Sequence, residues 1–311
     1  MSFRPQQSLC ALFALVVVLS AFPAMARAPD QIIHFTDRRG ETIEGGVWLP
    51  APGVDPSPRA LVVISHGNGG WYAGHDDTAR ALADAGFIVA ALTHPGDNFR
   101  DHSRGLQLTG RAPQLSALID YMVDDWSGPI LLDPDRIGAF GFSAGGFTVT
   151  SIVGGVSEAR AIQAHCAAHL DLFACRLLAM DPLDEGEWHP ETRDARVKAA
   201  VIAAPAFGES FTTASLASIT VPIQLWQAAD DEILPSPYNV EPIRDRLGKA
   251  PEYRRIEGAG HYDFLPACAP QMRAQVPELC VSAPGFDRAA FKAEFNRQVV
   301  TFFHTALLAA P

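Results

Sequence analysis

The chain has 311 residues, 48% of them hydrophobic and 19% charged, which excludes a disordered or fibrous protein and suffices for one sizeable α/β core. Its formal net charge of −11 leaves no basic footprint for nucleic acid or for an anionic lipid surface. No internal repeat or low-complexity tract divides it.

The first feature in chain order is a leader. Arg4 precedes the apolar run Leu9–Leu19, and Ala24-Met25-Ala26 supplies small residues at A-x-A spacing. The pattern predicts a cleaved secretory signal at residues 1–26 and a single mature domain over 27–311. That domain is one charge unit more negative, because Arg4 leaves with the leader. The run is short for a membrane span, so a retained anchor is the lesser alternative, and Cys10 lies too far from the cleavage point for lipidation. The expected location is periplasmic or secreted, with no membrane span in the mature chain.

Four cysteines remain, Cys166, Cys175, Cys268 and Cys280. They allow three pairings. An oxidising compartment favours disulfides, and each local pair, 166 with 175 and 268 with 280, brackets one loop-like excursion.

Residues 31–49 read as an opening hairpin turning at Arg39-Gly40, followed by a proline-rich loop over 50–59. Continuous apolar runs at 60–65 and 87–93 predict strands buried on both faces, with a helix over 76–85 between them. Residues 111–126 have helical periodicity, with Leu115, Leu118, Ile119 and Met122 on one face. A strand over 136–142 runs into Gly141-Phe142-Ser143-Ala144-Gly145-Gly146, and an apolar helix follows. Residues 157–196 then interrupt the alternation as a cap-like insertion carrying Cys166, Cys175, Trp188 and His189. Strands at 197–205, 221–229 and 253–256 and a closing amphipathic helix over 287–308 complete the chain. The fold class is α/β, a mostly parallel central sheet with helices on both faces. Chemistry in such sheets belongs just beyond the carboxyl ends of the strands.

Strand, G-x-S-x-G and helix together form a nucleophile elbow, with Ser143 at the tip of a turn too tight for side chains at 141 and 145. A serine hydroxyl needs an imidazole to take its proton, and the imidazole needs a carboxylate to orient it. Asp230 and Asp231 follow the 221–229 strand, and His261, wrapped in glycines, follows the 253–256 strand. The order Ser, Asp, His is the one this sheet architecture requires. Backbone N–H groups of Ala144 and of Asn68, in the His66-Gly67-Asn68-Gly69-Gly70 loop, are the candidate oxyanion donors.

Other polar features read as structural. The 67–70 glycines lack a dinucleotide or Gly-Lys-Ser/Thr register, so no nucleotide cofactor is expected. His66 shapes its loop, and His94 either lines the pocket or forms a turn. His165 and His169 stand i, i+4 beside Cys166 without an HExxH or a thiolate pair, so no metal is expected.

The segments SHGNGG, LTHPGDN, DRIGAFGFSAGGFT, ADDEILP and GAGHYDFL resemble the α/β-hydrolase superfamily. More narrowly, they are similar to predicted dienelactone hydrolases that share features with platelet-activating-factor acetylhydrolases. The resemblance runs from about Ile32 to the C-terminus and implies Ser143 as nucleophile, Asp231 as acid, His261 as base, and the Asn68 and Ala144 amides as oxyanion hole. The spacing from Asp231 to Pro235 matches the acid loop of those relatives, and the C-x11-C segment at 268–280 also occurs in exported ones. Dienelactone hydrolases proper carry a cysteine nucleophile where this chain has Ser143, so general ester hydrolysis is the expectation. Lactone, peptide or polyester cleavage is the alternative, and a non-catalytic binding protein on the same fold a more distant one. The expected partner is a small-molecule ester, without nucleic acid, and the sequence assigns no oligomeric state.

Overall fold

The computed structural model describes residues 28–54, 59–190 and 192–308, so the leader read at 1–26 lies outside the described residues. Eight strands form one sheet: β1 (Gln31–Thr36), β2 (Thr42–Trp48), β3 (Leu61–Ser65), β4 (Ile88–Leu92), β5 (Ile137–Phe142), β6 (Val197–Ala203), β7 (Ile223–Ala228) and β8 (Glu252–Ile256). Their spatial order is β1-β2-β4-β3-β5-β6-β7-β8. The opening hairpin joins antiparallel, and every pairing from β4 through β8 is parallel. The mostly parallel sheet expected from the alternation is what forms.

Every residue of β3, β4, β5 and β7 is buried, as continuous apolar runs with helices on both faces require. On one face lie α2 (Arg111–Asp120), α3 (Ala144–Ile152) and α7 (Val240–Arg246); on the other lie α1 (Asp76–Asp84) and α9 (Arg288–Leu308). The period of two is visible within β3, where Val63 joins the α2–α3 core and Val62 and Ile64 join the α1–α9 core. Gly138 in β5 explains how closely α9 approaches: a Cβ there would stand 2.5 Å from the Phe303 ring. A Gly138→Ala change forces Phe303 out of its place.

The expected 111–126 helix is α-helical only to Asp120. Its last turn widens into a π turn over Tyr121–Asp125, closed by the Trp126 N–H on the Tyr121 carbonyl at 2.8 Å. Trp126 then leaves the helix, its indole N–H donating to Gln31 Oε1 at 2.9 Å.

The insertion contains α4 (Ala159–Ala168) and α5 (Phe173–Met180), joined by the Cys166–Cys175 disulfide. It is tied to the elbow helix through buried Trp188, whose ring meets Phe147 of α3 edge-on at 6.0 Å. Short helices α6 (Thr213–Ala217) and α8 (Pro270–Gln275) complete the described α-helices, and the Cys268–Cys280 disulfide spans α8. No helix among the described residues is long and apolar enough to cross a membrane.

Candidate active site

Four loops leave the carboxyl ends of β3, β5, β7 and β8 at one edge of the sheet, and each carries a residue singled out from sequence. Ser143 directly follows β5 and caps α3 with φ 58° and ψ −119°, a left-handed conformation that costs a non-glycine residue about 1–3 kcal/mol. The surroundings over-determine it. Its N–H donates to the Ala203 carbonyl at 2.9 Å, and its carbonyl accepts the Ala206 and Phe147 N–H groups, each at 3.1 Å. A Cβ on Gly141 would fall 2.0 Å from the Gly145 carbonyl oxygen, and one on Gly145 would fall 2.0 Å from that of Ser65. Both glycines are steric necessities.

His261 opens a short 3-10 turn after β8. Its Nε2 lies 3.0 Å from Ser143 Oγ and its Nδ1 lies 2.7 Å from Asp231 Oδ2. The other Asp231 oxygen accepts the N–H groups of Ile233 at 3.0 Å and Leu234 at 2.7 Å, which fixes the carboxylate in its own loop. A carboxylate can only accept, so the imidazole proton sits on Nδ1 and Nε2 faces the serine hydroxyl as an acceptor. Asp231, rather than Asp230, is the aspartate that reaches the imidazole. All three side chains are nearly withdrawn from solvent, and the Phe142 ring packs 4.8 Å from that of His261.

The β3 loop lies directly over the serine, since a Cβ on Gly67 would come within 3.4 Å of Ser143 Cβ. In that loop the Gly67 carbonyl accepts the Gly70 N–H at 3.1 Å and faces His66 Nδ1 at 2.6 Å. A trans peptide points its N–H opposite to its carbonyl, so the Asn68 N–H is directed away from those partners. Ala144 is the first residue of α3, where N–H groups have no partner within the helix.

His66 accepts the His94 N–H on Nε2 at 3.0 Å. His94 is fully buried, placed between Ser65 Oγ at 2.9 Å and Gln114 Oε1 at 2.7 Å, where it braces the turn after β4. Burial first, and then the Arg111 guanidinium, hold both imidazoles neutral with pKa values well below the usual 6.5. His165 and His169 pack at tilted angles on each other and on Tyr238, at centroid distances of 4.7, 4.8 and 4.6 Å. Among the described residues no group of three or more His, Cys, Asp or Glu is placed to hold a metal ion.

Sequence reasoning missed the charged groups beneath the site. Asp97 and Arg111 form a buried ion pair under the β3 loop, and Asp263 and Arg288 form another under the His261 turn. Asp97 had a usable signal, an aspartate just past a buried strand. Arg111 and Arg288 had none, because an arginine in the first turn of a helix is ordinarily a solvated residue. A cavity of about 660 Å³, lined by Val221, Lys249, Arg254 and Phe302 among others, opens at the amino ends of β7 and β8, away from this chemistry.

No family model matches the chain, and no curated protein matches it. Solved structures do. A ferulic acid esterase from Streptomyces cinnamoneus is 18% identical, with 94% of this chain and 93% of that one covered at a TM-score of 0.57. The esterase Est2 from Thermogutta terrifontis is 13% identical, over 88% of this chain and 91% of that one, at a TM-score of 0.55. A puromycin-hydrolyzing peptidase from Mycobacterium tuberculosis is 16% identical at a TM-score of 0.61, covering 94% of this chain but only 41% of that one. These likenesses establish the α/β-hydrolase fold.

Proposed function

We propose that this chain is a serine hydrolase that cleaves carboxylic esters through an acyl-enzyme, with Ser143 as nucleophile, His261 as base and Asp231 as orienting acid. The observation that carries the reading is the continuous hydrogen-bond chain Asp231–His261–Ser143, at 2.7 and 3.0 Å, set at the tip of a strained elbow. The fold shared with esterases supports it.

Asp231 holds Nδ1–H and stabilises the imidazolium that forms when Nε2 takes the Ser143 proton. Oγ attacks the ester carbonyl, and the Asn68 and Ala144 N–H groups receive the resulting oxyanion, each such donor contributing roughly 10²–10³ in rate. The imidazolium then protonates the departing alcohol, and water releases the acid by the same steps. Residues 157–196 act as a cap that shapes the acyl pocket, held by Cys166–Cys175 and anchored through Trp188 on Phe147. The two disulfides support an exported location.

Ser143→Ala is expected to abolish p-nitrophenyl ester turnover and fluorophosphonate labelling while leaving the far-ultraviolet circular dichroism spectrum unchanged. Undiminished turnover by that variant removes the assignment.

A further inference from the structure

We propose that the buried Asp97–Arg111 pair is the positioning device of the oxyanion hole, holding its two donor-bearing segments in one frame. This rests on the ester-hydrolase reading of the same site. Neither residue is hydrogen-bonded to Ser143, Asp231 or His261. Arg111 is 2% and Asp97 1% exposed, and two charges buried this deeply are rarely worth their desolvation for stability alone.

The connections show what the pair organises. Arg111 donates to the His66 carbonyl, to Asp97 Oδ2, and more distantly to Ser65 Oγ at 3.4 Å. Asp97 Oδ1 accepts the Gly69 N–H at 2.8 Å and the Asn68 side-chain amide at 2.9 Å. The Gly67–Asn68 peptide, which supplies one oxyanion donor, is therefore gripped on both sides, at residue 66 and at residues 68 and 69. The Asn68 amide also donates to the Gly105 carbonyl at 2.9 Å, so its nitrogen is held from two sides.

The second donor is reached through α3. Arg111 Nε donates to Thr148 Oγ1 at 3.1 Å, and the Thr148 hydroxyl donates to the Ala144 carbonyl at 2.9 Å. One planar guanidinium thus spans both arms of the hole. The three acceptors are met by three different nitrogens of one rigid plane, a spread that a lysine ammonium, with all its donors on one nitrogen, does not offer.

The experiment uses the full chain as wild type, Arg111→Lys and Asp97→Asn. Steady-state kinetics on p-nitrophenyl butyrate are normalised to active sites titrated with a fluorophosphonate, alongside the Ki of a trifluoromethyl ketone that forms an oxyanion on the serine. Misplacing one donor predicts kcat per titrated site down by about 10²-fold, KM within about threefold, and ketone Ki raised by the same factor as kcat falls. Wild-type kcat and ketone Ki per titrated site, with only a lowered unfolding temperature, overturn the proposal. If Arg111→Lys does not accumulate as folded protein, Asp97→Asn decides, since it keeps the side chain's shape and an acceptor for Gly69. If neither folds, the pair is structural and the proposal fails. A wild-type protein that neither turns over the ester nor labels at Ser143 instead removes the ester-hydrolase reading.

Discussion

Asp263 and Arg288 form a buried ion pair, 2.9 Å from Oδ1 to Nε, that clamps the turn bearing His261 to the first turn of α9. The other Asp263 oxygen accepts the Gly260 N–H at 2.8 Å, immediately before the histidine. Arg288 also donates to the carbonyls of Leu279 at 2.8 Å and Val281 at 3.0 Å, tying in the segment behind the second disulfide. Arg288→Ala leaves Asp263 charged and unpaired, which costs about 3–5 kcal/mol. The expected result is a urea midpoint well below wild type and reduced ester turnover below that midpoint. Unchanged values for both disprove the clamp.

The two neighbouring aspartates should separate cleanly. Asp231→Asn removes the charge that holds Nδ1–H, and kcat should fall by about 10⁴-fold. Asp230 uses its backbone N–H on the Ala259 carbonyl at 3.0 Å, a bond that Asp230→Asn retains, so that variant should stay within about threefold of wild type. Equal losses in both variants contradict the geometry.

Gly145→Ala tests the elbow itself. The added methyl would stand 2.0 Å from the Ser65 carbonyl oxygen, and backbone cannot yield as a flexible side chain does. Overpacking of this kind typically costs about 1–3 kcal/mol and displaces whatever sits on the turn. Ester turnover should disappear before the fold does, so residual turnover and the thermal unfolding curve are measured on the same preparation.

The fold and much of the site were legible because they depend on patterns that a chain cannot hide. Buried parallel strands must be apolar throughout, so β3, β4, β5 and β7 announced themselves. The elbow glycines are demanded by contacts at 2.0 Å, and the histidine and aspartate had to stand at strand tips in a fixed order. Illegible were the partners that only three-dimensional proximity creates. Asp97 and Arg111 lie 14 positions apart, and Asp263 and Arg288 lie 25 apart, with no spacing rule to join them. The end of α2 at Asp120 was likewise invisible, because apolar periodicity continues through Met122 and no residue there marks the change of register.

Acid should destabilise the protein through its buried imidazoles. His75 lies against Phe140 and Phe142, and neither ring nitrogen has a hydrogen-bond partner among the described residues. Burial, reinforced by Lys292 and partly opposed by Asp77, lowers its pKa from 6.5 to about 3. The unfolded chain binds this proton and the folded chain does not, so the stabilisation is present above pH 6.5 and is lost as pH falls toward 3. His75→Phe removes that linkage, a gain on the order of 4 kcal/mol at the acid end. Its advantage over wild type in urea melts should grow from pH 7 to pH 4; a constant difference refutes the assignment.

Glu209 has the opposite sign. Its carboxyl oxygens are buried, and burial, partly opposed by its own backbone N–H and by Arg246, raises its pKa from 4.5 to about 7. The folded chain holds the proton while the unfolded chain has released it, so this contribution falls as pH rises from 4.5 to 7. Glu209→Gln should therefore stabilise at pH 8, by up to about 3 kcal/mol, and change little at pH 4. Denaturant titrations of both proteins at the two pH values decide it.

The base stands beyond β8, the outermost strand of the sheet, 118 positions after the nucleophile it serves. Until that strand's loop is in place, Ser143 has nothing to take its proton. Under the proposed chemistry, hydrolytic competence cannot precede the docking of the loop beyond β8. A chain cut before residue 252 lacks the base and, with α9 gone, also the Phe295 and Phe303 rings that cover the sheet's other face.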